Sequence, residues 1–137
     1  MSGASNRLSR FLVYQAPAIL YAAVIFFMSS LPGSEMPDMP FRFGDKLVHA
    51  LEFGLFGMLL FRAFRFPHSH PNPFRMTLLF GILFAASDEI HQLFVPGRFC
   101  EVVDFLADST GLALFAWISM RMHPLTSPPL SEPATRP

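Results

Sequence analysis

The sequence predicts an all-α fold, a four-transmembrane-helix bundle with both termini cytoplasmic. Three observations predict it. The 137 residues are 52% hydrophobic and only 15% charged, whereas soluble domains carry about 25% charged residues. Residues 11–34 hold no charged side chain, enough for a span of roughly 20 apolar residues. Three shorter apolar stretches follow, each with a polar cluster at one end. The same composition excludes a disordered chain, and ten Lys+Arg balanced by ten Asp+Glu exclude a basic nucleic-acid binder.

The first span is expected at about 11–31. Arg7 and Arg10 precede it, as in a signal peptide. Its apolar run exceeds the roughly 7–15 residues of a signal core, so it reads as a retained helix. Pro17 predicts a mild kink, and Leu31-Pro32-Gly33-Ser34 its end. Spans two, three and four are expected at about 46–64, 74–95 and 101–122. Their uncharged cores, 53–61, 76–87 and 109–120, are short. Each crosses a bilayer only if the polar residues at one end enter it. Pro37 and Pro40 keep the first connection irregular, Pro67, Pro71 and Pro73 break the second, and Pro96-Gly97 turns the third. Residues 1–122 thus form the membrane domain. Residues 123–137, with five prolines, read as a disordered cytoplasmic tail.

Charge sets the expected orientation. Arg7, Arg10, Arg62, Arg65, Arg75, Arg121 and Arg136 fall on one side of four spans, and only Arg42, Lys46 and Arg98 on the other. The positive-inside rule makes the first side cytoplasmic. The expected location is the cell membrane, the inner one where there are two, and the expected partner is the lipid bilayer.

The acids are distributed unevenly. Glu35, Asp38 and Glu132 lie in loops or tail, while Asp45, Glu52, Asp88, Glu89, Glu101, Asp104 and Asp108 all belong to the outer ends of spans two to four. At 100° per residue, Asp45, His49 and Glu52 share a face within about 60°, as do Glu101, Asp104 and Asp108. Asp88 and Gln92 share a stripe with Gly81 and Ala85, flanked on opposite sides by Glu89 and His91; small residues there admit a close neighbour helix. Glu52, Asp88 and Asp108 each lie about seven residues, on the order of 10 Å, below the outer surface. His49, Gln92 and Asp104 form a shallower layer, and Lys46, Arg98 and Glu101 a rim. A charge in lipid costs roughly 2.5–3.5 kcal/mol at a helix centre, so these groups turn inward and find partners.

Simpler roles stand beside functional ones. Asp45 is the expected N-cap of span two, accepting from Leu47 or Val48. Lys46 either snorkels to the headgroups or meets an anion. Asp88-Glu89-x-His91-Gln92 has ligand types for a divalent metal, although Asp88 and Glu89 diverge by about 100°. Arg98 either holds a phosphate or carboxylate or pairs with Glu101 or Asp104. His68, His70 and His123 read as solvated loop residues. The single Cys100 forms no intramolecular disulfide and sits in no zinc spacing; it reads as a small apolar residue at a helix entrance. No serine-nucleophile motif, P-loop, dinucleotide fingerprint or HExxH is present, and no catalytic residue is assigned.

The order Ser29-Ser30-Leu31-Pro32, Asp45-Lys46-x-x-His49, Asp88-Glu89-x-His91-Gln92-x-Phe94-x-Pro96-Gly97-Arg98 and Asp104-x-x-x-Asp108-x-x-Gly111 resembles the VanZ-like family of small bacterial membrane proteins over roughly residues 15–120. The resemblance implies four spans and a link to glycopeptide (teicoplanin) resistance, but no reaction. Phe53 stands where the family often has Tyr, and Asp108 where it usually has Asn. The function expected is that an outer-leaflet site of Asp45, Lys46, His49, Glu52, Asp88, Glu89, His91, Gln92, Arg98, Asp104 and Asp108 binds a polar or ionic envelope ligand. Candidate ligands are a lipid headgroup, an envelope precursor or a divalent cation, with no cofactor required. The alternatives are a membrane-embedded hydrolase or transferase using a carboxylate–His pair, and a purely structural polar network.

Overall fold

The computed structural model describes residues 2–36, 43–66 and 70–123, with side chains from Asn6 onward. All regular structure among them is helical. Helix α1 (Ser2–Arg10) passes through a π turn (Phe11–Gln15) into α2 (Ala16–Ser29), followed by a 3-10 turn at Gly33–Glu35. Helices α3 (Gly44–Arg65), α4 (Pro73–Gln92) and α5 (Val102–Met122) complete the fold. Pro37, Asp38, Pro40, Arg42, Pro67, His68 and the tail from residue 124, with Glu132 and Arg136, lie outside the described residues.

The first helix starts nine residues before its expected start. The absence of charge marks where lipid can begin, not where the backbone begins to coil, and polar residues 2–10 extend the same helix. The kink expected at Pro17 is absorbed by the π turn. Proline lacks an N–H and its ring crowds the carbonyl four residues back; here the N–H of Ala16 reaches the carbonyl of Phe11 instead. Span three ends at Gln92 rather than Val95. The chain leaves it through a turn closed by Arg98 N–H to Val95 O at 3.1 Å, with Gly97 at φ 74°. Pro96-Gly97 supplies the fixed φ and the left-handed residue that a type II turn needs.

Asn6–Ser29, Gly44–Arg65 and Val102–Met122 are long and apolar enough to cross a membrane. Helix α4 has the length, but Arg75, Asp88 and Glu89 leave it short of that apolarity. The four-span expectation is therefore met in length and apolarity by three helical runs. Among the described residues, thirty large apolar side chains are exposed, whereas nine hydrophobic residues are buried. Eight polar or charged residues are buried with them. A soluble domain of this size could not leave so much apolar surface in water, but a lipid environment accepts it.

The buried core joins Ile25, Phe53, Phe56, Ala85 and Leu112. Phe53 meets Phe56 edge-on at 6.2 Å, and Phe56 meets Phe84 at 5.1 Å between ring centres. Helices α3 and α5 form the most extensive helix pair. Their register is fixed where Gly111 lies against the backbone of Ala50, and Gly57 against Leu112, with no room at either for a side chain. In α4, Gly81 leaves room for the Leu112 side chain and Ala85 is fully buried, so the expected small-residue stripe is a packing face. At the end remote from the acids, Arg62 lies over Tyr14 at 5.3 Å and Arg121 over Trp117 at 5.0 Å. At the other end, Gly33 N–H donates to Pro96 O at 3.0 Å, fastening the turn after α2 to the turn after α4.

Candidate functional site

The acids of α3, α4 and α5 converge at one end of the bundle around a cavity of about 330 Å³ and, apart from Glu52 on the cavity wall, divide into three groups. At the rim, Lys46 in the first turn of α3 bridges three carboxylates. Its Nζ lies 2.6 Å from Asp104, 2.7 Å from Glu101 and 3.0 Å from Asp45. The Lys46 side chain is 18% exposed and that of Asp104 9%, against about half for Asp45 and Glu101. Lys46 is thus turned inward instead of snorkelling. Asp45 is not the N-cap of its helix either: Phe43 holds that position without a side-chain cap, and Asp45 lies one residue inside the helix. Its carboxylate is spent on Lys46.

The second group is deeper and comes from three helices. His49 of α3, Glu89 of α4 and Asp108 of α5 offer ligand atoms all within 4.8 Å of one another. His49 Nδ1 lies 3.0 Å from Asp108 Oδ1. Glu89 Oε2 accepts from the backbone N–H of Glu101 at 2.9 Å. Glu89 and Asp108 are buried, and among the described residues Glu89 Oε1 and Asp108 Oδ2 have no hydrogen-bond partner.

The third group is a chain of hydrogen bonds that begins on α2. Ser29 Oγ donates to Asp88 Oδ1 at 2.6 Å, Gln92 Nε2 donates to Asp88 Oδ2 at 3.3 Å, and Arg98 Nε donates to Gln92 Oε1 at 3.4 Å. Asp88 and Gln92 are buried and Arg98 is partly exposed. Ser29, His49, Glu52, Asp88, Gln92 and Arg98 all line the cavity.

The helical angles explain this division. Asp88 and Glu89 diverge as expected, so they serve different groups, and the cluster of metal-ligand types is His49–Glu89–Asp108 rather than the contiguous run on α4. His91 does not join the acids. Its Nε2 lies 2.9 Å from Ser30 Oγ and its ring stacks on Phe26 at 4.3 Å, so it packs α4 against α2. Among the described residues Arg98 pairs with neither Glu101 nor Asp104, which Lys46 holds, and donates instead to Gln92. Cys100 is exposed and free rather than packed.

Ser29 opens the first motif of the family resemblance but is not among the site residues expected from the sequence. Its position two residues before the Leu31-Pro32 stop puts it at the depth of the acids, a signal that hydropathy does not register. Chemically, the arrangement offers a largely apolar cavity with one guanidinium and several carboxylates on its wall, and a histidine–carboxylate group behind it.

No curated protein and no solved structure matches the chain. The family model described as VanZ/LLP1 matches residues 11–123, a stretch that takes in all four long helices and every residue of the polar groups. The chain belongs to the VanZ/LLP1 family and is a membrane protein of that family.

Proposed function

We propose that the chain is a multi-pass protein of the cell membrane whose outer-leaflet cavity binds a zwitterionic envelope ligand, either a lipid headgroup or an envelope precursor. In this reading α4 also spans. The support is where its charges lie: Asp88 and Glu89 are on its buried stripe, while Leu79, Phe80, Leu83 and Ile90 are exposed. Arg7, Arg10, Arg62, Arg65, Arg75 and Arg121 belong to the end remote from the acids. The positive-inside rule then makes both termini cytoplasmic and opens the cavity to the outside. Where the organism has two membranes, the inner one is meant.

One observation carries the ligand reading. Lys46 is neutralised by three acids, whereas the side-chain partner of Arg98 is the neutral Gln92, at the cavity wall. Among the described residues Arg98 is therefore the cation left to meet a phosphate or carboxylate, a task suited to its planar fork of donors. Glu52 and Asp88, on the same wall, suit the amine of the same ligand.

Native mass spectrometry of the protein released from its membrane in mild detergent tests this. The expected result is one retained lipid or precursor in the wild type, lost in Arg98→Ala at unchanged melting temperature. Equal retention in Arg98→Ala refutes the reading. The teicoplanin link implied by the family resemblance supplies a second readout: glycopeptide tolerance of cells expressing the wild type exceeds that of cells expressing Arg98→Ala.

An enzymatic reading is favoured by the His49–Asp108 pair, since a carboxylate at 3.0 Å orients an imidazole as a general base and His49 reaches the cavity. It predicts that His49→Ala retains the bound species and abolishes its turnover.

A further inference from the structure

We propose that His49, Glu89 and Asp108 form a divalent-cation site behind the cavity, taking a transition-metal ion such as Zn²⁺ or Mn²⁺. The proposal rests on the reading of the cavity as a binding site only for the ion's route of entry, through His49, which belongs to both.

The first argument is geometric. One ligand atom from each of α3, α4 and α5 falls within 4.8 Å of the other two. The His49 Nδ1 to Asp108 Oδ1 separation is 3.0 Å. Two ligand atoms bonded to one ion at about 2.1 Å, at right angles, lie about 3.0 Å apart. The remaining separations, up to 4.8 Å, must shorten for one ion to bond all three atoms.

The second argument comes from unpartnered atoms. Glu89 is 3% exposed and Asp108 0%, yet among the described residues Glu89 Oε1 and Asp108 Oδ2 meet no donor. Buried carboxylate oxygens without a hydrogen bond or a counter-charge are strongly unfavourable. The other Glu89 oxygen is anchored by the Glu101 N–H, an outer contact of the kind that orients a metal-binding carboxylate.

The third argument is charge. The fixed cations beside this group are Lys46, which is bridged to Asp45, Glu101 and Asp104, and Arg98, which is bonded to Gln92. Neither forms an ion pair with Glu89 or Asp108 among the described residues. His49 offsets Asp108 only when it is protonated, and it is one charge for two acids; a divalent ion supplies positive charge to both. One imidazole with two carboxylates suits a borderline cation better than Mg²⁺ or Ca²⁺, which prefer oxygen alone, and three protein ligands leave coordination open toward a ligand.

The test uses the full chain in detergent, stripped with a chelator, re-equilibrated with Zn²⁺ or separately with Mn²⁺, and desalted. Metal is counted by elemental mass spectrometry, and thermal stability is measured with and without Zn²⁺. The expected result is one equivalent bound per chain and a higher melting temperature with Zn²⁺. His49→Ala, Glu89→Gln and Asp108→Asn should each lower the affinity at least tenfold and lose the zinc-dependent stabilisation. Asp88→Asn and Arg98→Ala should keep both. Failure of the wild type to retain either metal overturns the site, as does undiminished binding in those three variants or equal loss in Asp88→Asn. Lipid retention scored on the same preparations separates the two proposals. Zinc bound without lipid overturns only the cavity reading, and lipid bound without zinc overturns only the cation site.

Discussion

Removing the Lys46 ammonium tests whether the rim is a buried ion-pair network. Three carboxylates share that charge, but unequally. Asp104, at 2.6 Å, is 9% exposed, and Asp45 and Glu101 are about half exposed. Surface pairs are worth about 0–1 kcal/mol, whereas stripping one partner from a buried pair costs about 3–5 kcal/mol. Lys46 is itself 18% exposed, so the Lys46–Asp104 coupling should fall between those limits, at roughly 2 kcal/mol. Lys46–Asp45 should stay under about 0.5 kcal/mol. Lys46→Met preserves the length of the side chain and removes its charge. Two double-mutant cycles, Lys46→Met with Asp104→Asn and Lys46→Met with Asp45→Asn, read by equilibrium SDS unfolding with circular dichroism, measure both couplings. Equal couplings for the two acids, or none for Asp104, would show that depth does not set the strength of this network.

Further outcomes follow from the same structure. Gly111→Ala directs a methyl into the Ala50 backbone, which cannot move aside; it should cost about 1–3 kcal/mol of stability, more than Gly54→Ala, whose nearest neighbour is the rotatable Phe115 side chain. Ser29→Ala deprives buried Asp88 of its 2.6 Å donor and should destabilise by about 1–3 kcal/mol, with Asp88→Asn in the same chain recovering part of the loss. His91→Ala breaks the contacts to Ser30 and Phe26, so it should lower stability while leaving lipid and zinc retention at wild-type levels. Cys100 is the only cysteine of the sequence, and it is exposed between α4 and α5. In the proposed orientation a membrane-impermeant maleimide labels it in intact cells whose outer barrier has been opened; labelling only after the membrane is lysed would reverse the topology.

Much of the site was legible because helical periodicity is local. Asp45, His49 and Glu52 share a face whatever α3 packs against, and the divergence of Asp88 from Glu89 follows from their adjacency alone. The turn at Pro96-Gly97 was legible for a similar reason, since proline and glycine restrict or free their own backbone. Other features were not. The N-cap expected at Asp45 failed because the helix begins earlier, at Gly44, with Phe43 in the cap position, so Asp45 lies inside it. His91 belongs to the same α4 run as its acids, and only the position of α2 assigns it to Phe26 and Ser30. Ser29 carries no charge, and hydropathy gives no reason to pair it with Asp88.

The amino-acid sequence by itself determined an all-helical chain with too little charge for water and with its acids gathered at one end of three helices. Only the tertiary structure decided which acids share a partner, that Lys46 takes three of them, and that His49, Glu89 and Asp108 meet while Asp88 stands apart. The physical reason is that a helix sets the angle between its own side chains, whereas the angle and height between helices are set by backbone approach. That approach is fixed where Gly111 rests on Ala50 and Gly57 on Leu112, contacts between residues roughly sixty positions apart.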